Sequence, residues 1–84
     1  MDQLRLALHR ALPARFGVRG TLNDDTRLFS SGMIDSLSVI DLVSFFELET
    51  GLQVPPAEIT LDNFDTINLI VRFAEKQASS NRPK

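Results

Sequence analysis

Ser36 is the residue of this chain best placed to take part in chemistry. It directly follows Asp35 and lies four positions after Gly32, in the stretch "FSSGMIDSL" from Phe29 to Leu37. A nucleophilic serine needs a general base, usually histidine, oriented by a third group. The one histidine, His9, falls in a helical stretch beside its apolar stripe and reads as a partly exposed surface residue. Asp35 is adjacent to Ser36, but neighbouring residues project in different directions, and a carboxylate is a poor base for an alkoxide. The chain has no cysteine, so it has no thiol nucleophile, no thiolate metal site and no disulfide framework. Its carboxylates do not follow the calcium-loop spacing, and no glycine-rich loop is present to cradle a phosphate. Neither a metal site nor enzymatic activity is expected of it.

A second chemistry remains open to Ser36, which is to be modified. At a helix start its hydroxyl is exposed, and the unpaired N–H groups and positive dipole end favour a phosphate ester by roughly 0.3–1 kcal/mol. Gly32 permits the backbone turn that presents such a site. A chain without thiols and with an accessible serine beside a docking helix fits a carrier that borrows its thiol from a prosthetic group.

The elements that must position Ser36 can be read from the spacing of apolar residues. Leu4, Leu8, Ala11 and Leu12 fall at helical spacing and predict a first helix over residues 2 to 12, with Pro13 expected to stop or kink it. A long connection follows from Phe16 to Asp35, through Gly17, Gly20, the polar run "NDDT" and Gly32. Leu22, Leu28 and Phe29 are expected to pin it to the core. A second helix is predicted over 36–50, ended by Gly51 in a left-handed conformation. The segment "VPPAEIT" predicts a short helical turn opened by proline. The last helix begins near Asp65 or Thr66, either of which can cap it, and places Ile67, Ile70, Val71 and Ala74 on one face. From Ser79 onward the chain reads as a frayed tail, residues 79–84. With no strand pair and no repeat, the fold class is all-α, a small four-helix bundle of three main helices and one short one.

The second helix carries more apolar surface than one core needs. At about 100° per residue, Val39, Leu42, Val43 and Phe46 share one arc, the natural core face. Leu37, Ile40 and Leu48 lie on another, with Ser36, Asp41, Ser44 and Glu47. An exposed apolar strip rimmed by acids has the composition of a docking surface, unless the short helix covers it.

The chain has 84 residues, one small domain over 1–84, and 43% of them are hydrophobic, which suits a folded core. Its net charge of −2 hides an asymmetry. The segment 1–20, the first helix and the entry to the loop, holds four arginines against one aspartate, while residues 21–78 hold ten acids against three bases. An acidic body argues against nucleic acid and for a basic partner, although acids also serve simply to keep a small domain soluble. No apolar run approaches the roughly 20 residues that span a bilayer, and the N-terminus lacks a secretory h-region, so no membrane insertion and a cytoplasmic address are expected. Met1 and the polar tail read as those of a free-standing protein.

These residues together resemble the acyl carrier proteins of the phosphopantetheine-binding family. The resemblance rests on Gly32, Asp35, Ser36 and Leu37 in "GMIDSL", preceded by Leu28 and Phe29, then on Leu42, Glu47, Gly51, Val54 and the "FDT" of Phe64 to Thr66. It covers about residues 22 to 77. It implies that Ser36 receives 4'-phosphopantetheine through a phosphodiester, that Asp35 helps position the phosphopantetheinyl transferase by way of its magnesium, and that Leu37, Ile40, Asp41, Ser44 and Glu47 lie on the recognition helix. Leu48 joins them through the stripe described above. The implied function is to hold an acyl or aminoacyl group as a thioester and present it to an activating ligase and a downstream transferase or synthase, in fatty acid, polyketide or nonribosomal peptide synthesis or in aminoacyl transfer. The "G-x-x-D-S" and "D-T-x-N-x-I-V" patterns look more like the free-standing aminoacyl carriers, the D-alanyl group included. Two features depart from the fatty-acid pattern, the arginine-rich first helix and the bulky Phe45 and Phe46, which leave little room for a long acyl chain. The competing readings are a helical adaptor, in which Ser36 is only a cap, and a kinase site at Ser36. If Ser36 is only a cap, replacing it by alanine costs about 1 kcal/mol at the helix start, whereas a carrier loses function with its fold intact.

Overall fold

The computed structural model describes residues 2–80. Four α-helices make the bundle: α1 (Asp2–Arg15), α2 (Val39–Thr50), α3 (Leu61–Phe64) and α4 (Ile67–Ser80), with 3-10 turns at Ser36–Ser38 and Pro56–Glu58. The all-α class, three main helices and a short one, is the one expected from the spacing. Ser79 and Ser80 continue α4, and the rest of the tail expected to fray lies outside the described residues.

The first and last helices bury their anticipated stripes. Leu4, Leu8, Ala11 and Leu12 of α1 and Ile67, Ile70, Val71 and Ala74 of α4 are all buried. At the centre, the rings of Phe46, Phe64 and Phe73 meet at centroid distances of 5.8, 5.7 and 5.4 Å, one pair edge-on. Such contacts add about 0.5–1.5 kcal/mol each beyond their burial. Phe45 is buried too, outside the arc expected to form the core, because α1 covers that flank and the Arg15 guanidinium lies 5.5 Å from its ring centroid. Val39 is only partly buried, being the first residue of its helix.

Two local expectations are corrected, and a third is borne out with one addition. Pro13 neither stops α1 nor ends it early, since the helix runs on to Arg15. Only two residues of helix follow the proline, so the one hydrogen bond it removes lies in the last turn. The short helical turn expected on "VPPAEIT" is present as a 3-10 turn at Pro56–Glu58 opened by proline, and a separate short α-helix follows at Leu61–Phe64. The second helix opens as a 3-10 turn, with the Ser38 amide on the Asp35 carbonyl at 2.8 Å. Gly51 closes α2 at φ 72°, as expected, its amide on the Glu47 carbonyl.

The long connection is fastened at the start of α4. Thr66 caps that helix, its Oγ1 accepting the Leu69 amide at 3.0 Å. Asp65 is thereby free for another task, and its carboxylate accepts the Phe29 amide (2.8 Å), the Ser30 amide (3.0 Å) and the Ser30 hydroxyl (2.6 Å). The Leu28 amide meets the Asp65 carbonyl at 2.7 Å. Asn68 makes a second fastening, its Oδ1 accepting from Arg5 and its Nδ2 donating to Asp25, both at 2.7 Å. Arg5 and His9 of α1 close on the two oxygens of Asp24 at 2.7 Å each. The polar run 23–26 is itself an Asx turn, with the Asp25 amide on Asn23 Oδ1.

Burial works to raise the Asp65 pKa, but the Ser30 hydroxyl and amide, the Phe29 amide and the Arg27 guanidinium outweigh it and hold the carboxyl below its ordinary value. The stability it contributes is therefore complete above the unfolded-state pKa near 3.8 and is lost as pH falls through the lower folded-state value. Asp65→Ala leaves two amides without acceptors and is expected to cost about 3 kcal/mol in urea titrations at neutral pH. Asp65→Asn is expected to cost less and to flatten the acid limb of the stability profile.

Candidate functional site

The approach to Ser36 is a tight, anchored path. Phe29 to Gly32 form a turn, the Gly32 amide bonding the Phe29 carbonyl at 3.0 Å, and Gly32 sits at φ 80°. A Cβ there would touch nothing within 4 Å, so glycine is required by the backbone angle alone. Ile34 is buried, and its amide returns to the Leu28 carbonyl at 2.8 Å. Two residues beyond that anchor the chain has reached the surface, with Asp35, Ser36 and Leu37 all exposed.

The cap belongs to Asp35. Its Oδ1 accepts the Leu37 amide at 3.1 Å, and its backbone is extended as an N-cap requires. Ser36 is the first residue of the turn, and its hydroxyl does not do the capping. That removes the physical basis for reading Ser36 as only a cap. A hydroxyl that is exposed and unneeded by the helix start fits the attachment of a bulky phosphodiester.

Of the residues expected to dock partners, Leu37, Ile40, Asp41, Ser44 and Leu48 are exposed. Leu37, Ile40 and Leu48 are 81%, 58% and 83% exposed, so among the described residues no element covers the second stripe of α2, the short α3 included. Asp41 and Ser44 are exposed between them. Glu47 differs from its neighbours, since it is half-buried and its Oε2 accepts the Val54 amide at 2.8 Å, tying α2 to the segment beyond it. A shallow groove missed in the sequence continues the stripe past its C-terminal end, through Leu52 and Gln53. Its only signal was Gly51, whose left-handed turn folds the chain back beside Leu48. His9 is committed to Asp24, and among the described residues no cluster of three or more histidine, aspartate and glutamate side chains could hold a metal ion.

A helical bundle that presents a serine on a fixed path, next to an exposed apolar and acidic helix, has the form of a carrier domain. The family described as "Phosphopantetheine attachment site" matches residues 4–74, and the chain belongs to it. Relatives agree with that family. A lincomycin biosynthesis protein, LmbN, of Streptomyces lincolnensis is 44% identical over 66 residues, which are 79% of this chain and 23% of that protein. A probable acyl carrier protein, PigG, of a Serratia strain is 29% identical over 90% of this chain and 87% of its own length. A D-alanyl carrier protein of Streptococcus pyogenes is 33% identical over 62% of this chain and 66% of its own. The chain thus spans under a quarter of the first of these and about two thirds of the last. The matched family is that of domains to which phosphopantetheine is attached. Such carriers are generally not catalysts and work with phosphopantetheinyl transferases and biosynthetic ligases or synthases. Among the described residues, no helix is long and apolar enough to cross a membrane.

The swap of capping roles has a direct test. Ser36→Ala is expected to leave the thermal midpoint unchanged, while Asp35→Ala is expected to lower stability by about 1 kcal/mol.

Proposed function

We propose that the 4'-phosphopantetheine arm is attached at Ser36 Oγ and that the exposed face of α2 is where partner enzymes dock. The observation that carries this reading is the exposure of Ser36, uncommitted to the helix cap, two residues after the buried Ile34. The arm supplies the thiol that the chain lacks, and with it a thioester. What the protein contributes is position. Asp65, Gly32 and Ile34 fix where the loop surfaces, and Asp35 holds the turn that displays Ser36 while offering an exposed carboxylate to the transferase.

Leu37, Ile40 and Leu48 give partners an apolar surface, and Asp41 and Ser44 give them polar contacts, favouring a ligase or transferase with a basic rim. Glu47 serves the docking face mainly by bracing it from behind. The chain itself performs no catalysis in this reading, and tethering the cargo raises its effective concentration at each partner. A cytoplasmic address goes with it, because coenzyme A, the donor of the arm, is found there.

The cargo is small or an amino acid. Phe46, Phe64 and Phe73 occupy the centre of the bundle that a sequestered acyl chain would have to enter. Similarity to a D-alanyl carrier protein supports the same preference.

The first test is intact mass after incubation with coenzyme A, magnesium and a broad-specificity phosphopantetheinyl transferase. A gain of one phosphopantetheine is expected, absent in Ser36→Ala. A gain that persists in the variant moves the arm to another residue, and no gain in the wild type favours the adaptor. A long-chain acyl group loaded onto the holo protein is expected to leave the NMR signals of the three central rings in place.

A further inference from the structure

The arginine-rich first helix takes no part in the site described so far. Its outer face and α2 form a shallow groove, with Ala7, Ala11, Ala14 and Phe45 along its floor. Leu6, 53% exposed, stands at one side. Arg10 and Arg15 stand over the groove, against the single acid Glu49. Arg15 is held in place by its contact with the Phe45 ring, 5.5 Å to the centroid.

We propose that this groove docks an acidic amphipathic helix of a partner protein. The alanines at i, i+4 and i+7 let a second helix approach closely. Leu6 and the edge of Phe45 offer apolar contacts, and the two arginines select glutamate or aspartate on the incoming face. The two arginines against one acid fix the occupant's sign, and the acidic remainder of the described chain keeps such a helix from docking elsewhere. The groove shares no residue with the face of α2 that carries Leu37, Ile40 and Leu48. Both can be engaged together, so the carrier can stay on one protein through α1 while Ser36 and α2 visit another.

The test is an NMR titration of the full chain with a synthetic amphipathic helix of leucine and glutamate, and in parallel with its leucine and lysine counterpart. The glutamate peptide is expected to shift Leu6, Ala7, Ala14 and Phe45 and to spare Leu37, Ile40 and Leu48, while the lysine peptide does the reverse. Arg10→Glu, which keeps the Arg15–Phe45 contact, is expected to weaken the glutamate peptide by about tenfold, and Arg10→Glu with Arg15→Glu to abolish its binding. Arg10→Glu is expected to keep the wild-type thermal midpoint, and both variants to remain folded and to accept the arm at Ser36 as before. That loading is read separately by mass, so either reading can fail without the other. The proposal is overturned if the glutamate peptide shifts nothing, if it moves the α2 face instead, or if its binding survives the charge reversals. Groove shifts that appear with rising concentration of the chain alone also overturn it, since the occupant would then be a second copy.

Discussion

The buried carboxylate of Asp65 is the constraint from which the rest of this fold follows. A chain of this size that spends twenty residues on a connection without helix must fasten that connection or leave it mobile, since its backbone groups have no ladder to join. Asp65 takes two amides and a hydroxyl from Phe29 and Ser30 with a side chain only 6% exposed. A lone carboxylate so buried would be costly, and three donors together with Arg27 at 3.7 Å offset the desolvation. With Phe29 fixed, the turn to Gly32 is fixed, then Ile34, and so the point at which Ser36 emerges.

The fastening works because two neighbouring residues divide the labour. Thr66 satisfies the start of α4, so Asp65 can turn away from its own helix. Asn68, one turn on, ties down Arg5 of α1 and the 23–26 turn at the same time. The "DTIN" segment thus joins α1, the loop and α4 through polar contacts at the bundle's edge, while the phenylalanines hold its middle.

Much of this was legible in the residues themselves. Periodicity located the main helices and their buried stripes, because side-chain burial on a helix is a matter of angle. The surplus stripe of Leu37, Ile40 and Leu48 was legible for the same reason. What escaped was set by contacts distant in sequence. Phe45 is buried because α1 happens to lie against it, and Glu47 is half-withdrawn because Val54 needs an acceptor. The exchange of roles between Asp35 and Ser36 escaped because both residue types cap well. The presence of two capping residues at 65 and 66 was a readable hint that one had other work.

The packed aromatic centre also bears on how a carrier can be read by its partners. Ligands stabilise a fold only as far as they bind the folded state better than the unfolded one. On the function proposed above, cargo held outside a centre already filled by rings would touch little of the fold, so a laden and an empty molecule would differ little in shape or stability. Nothing on the far surface of the bundle would then report the load. Each partner would have to recognise the cargo directly, and the protein would act as an address whose contents are legible only at the tip of the arm.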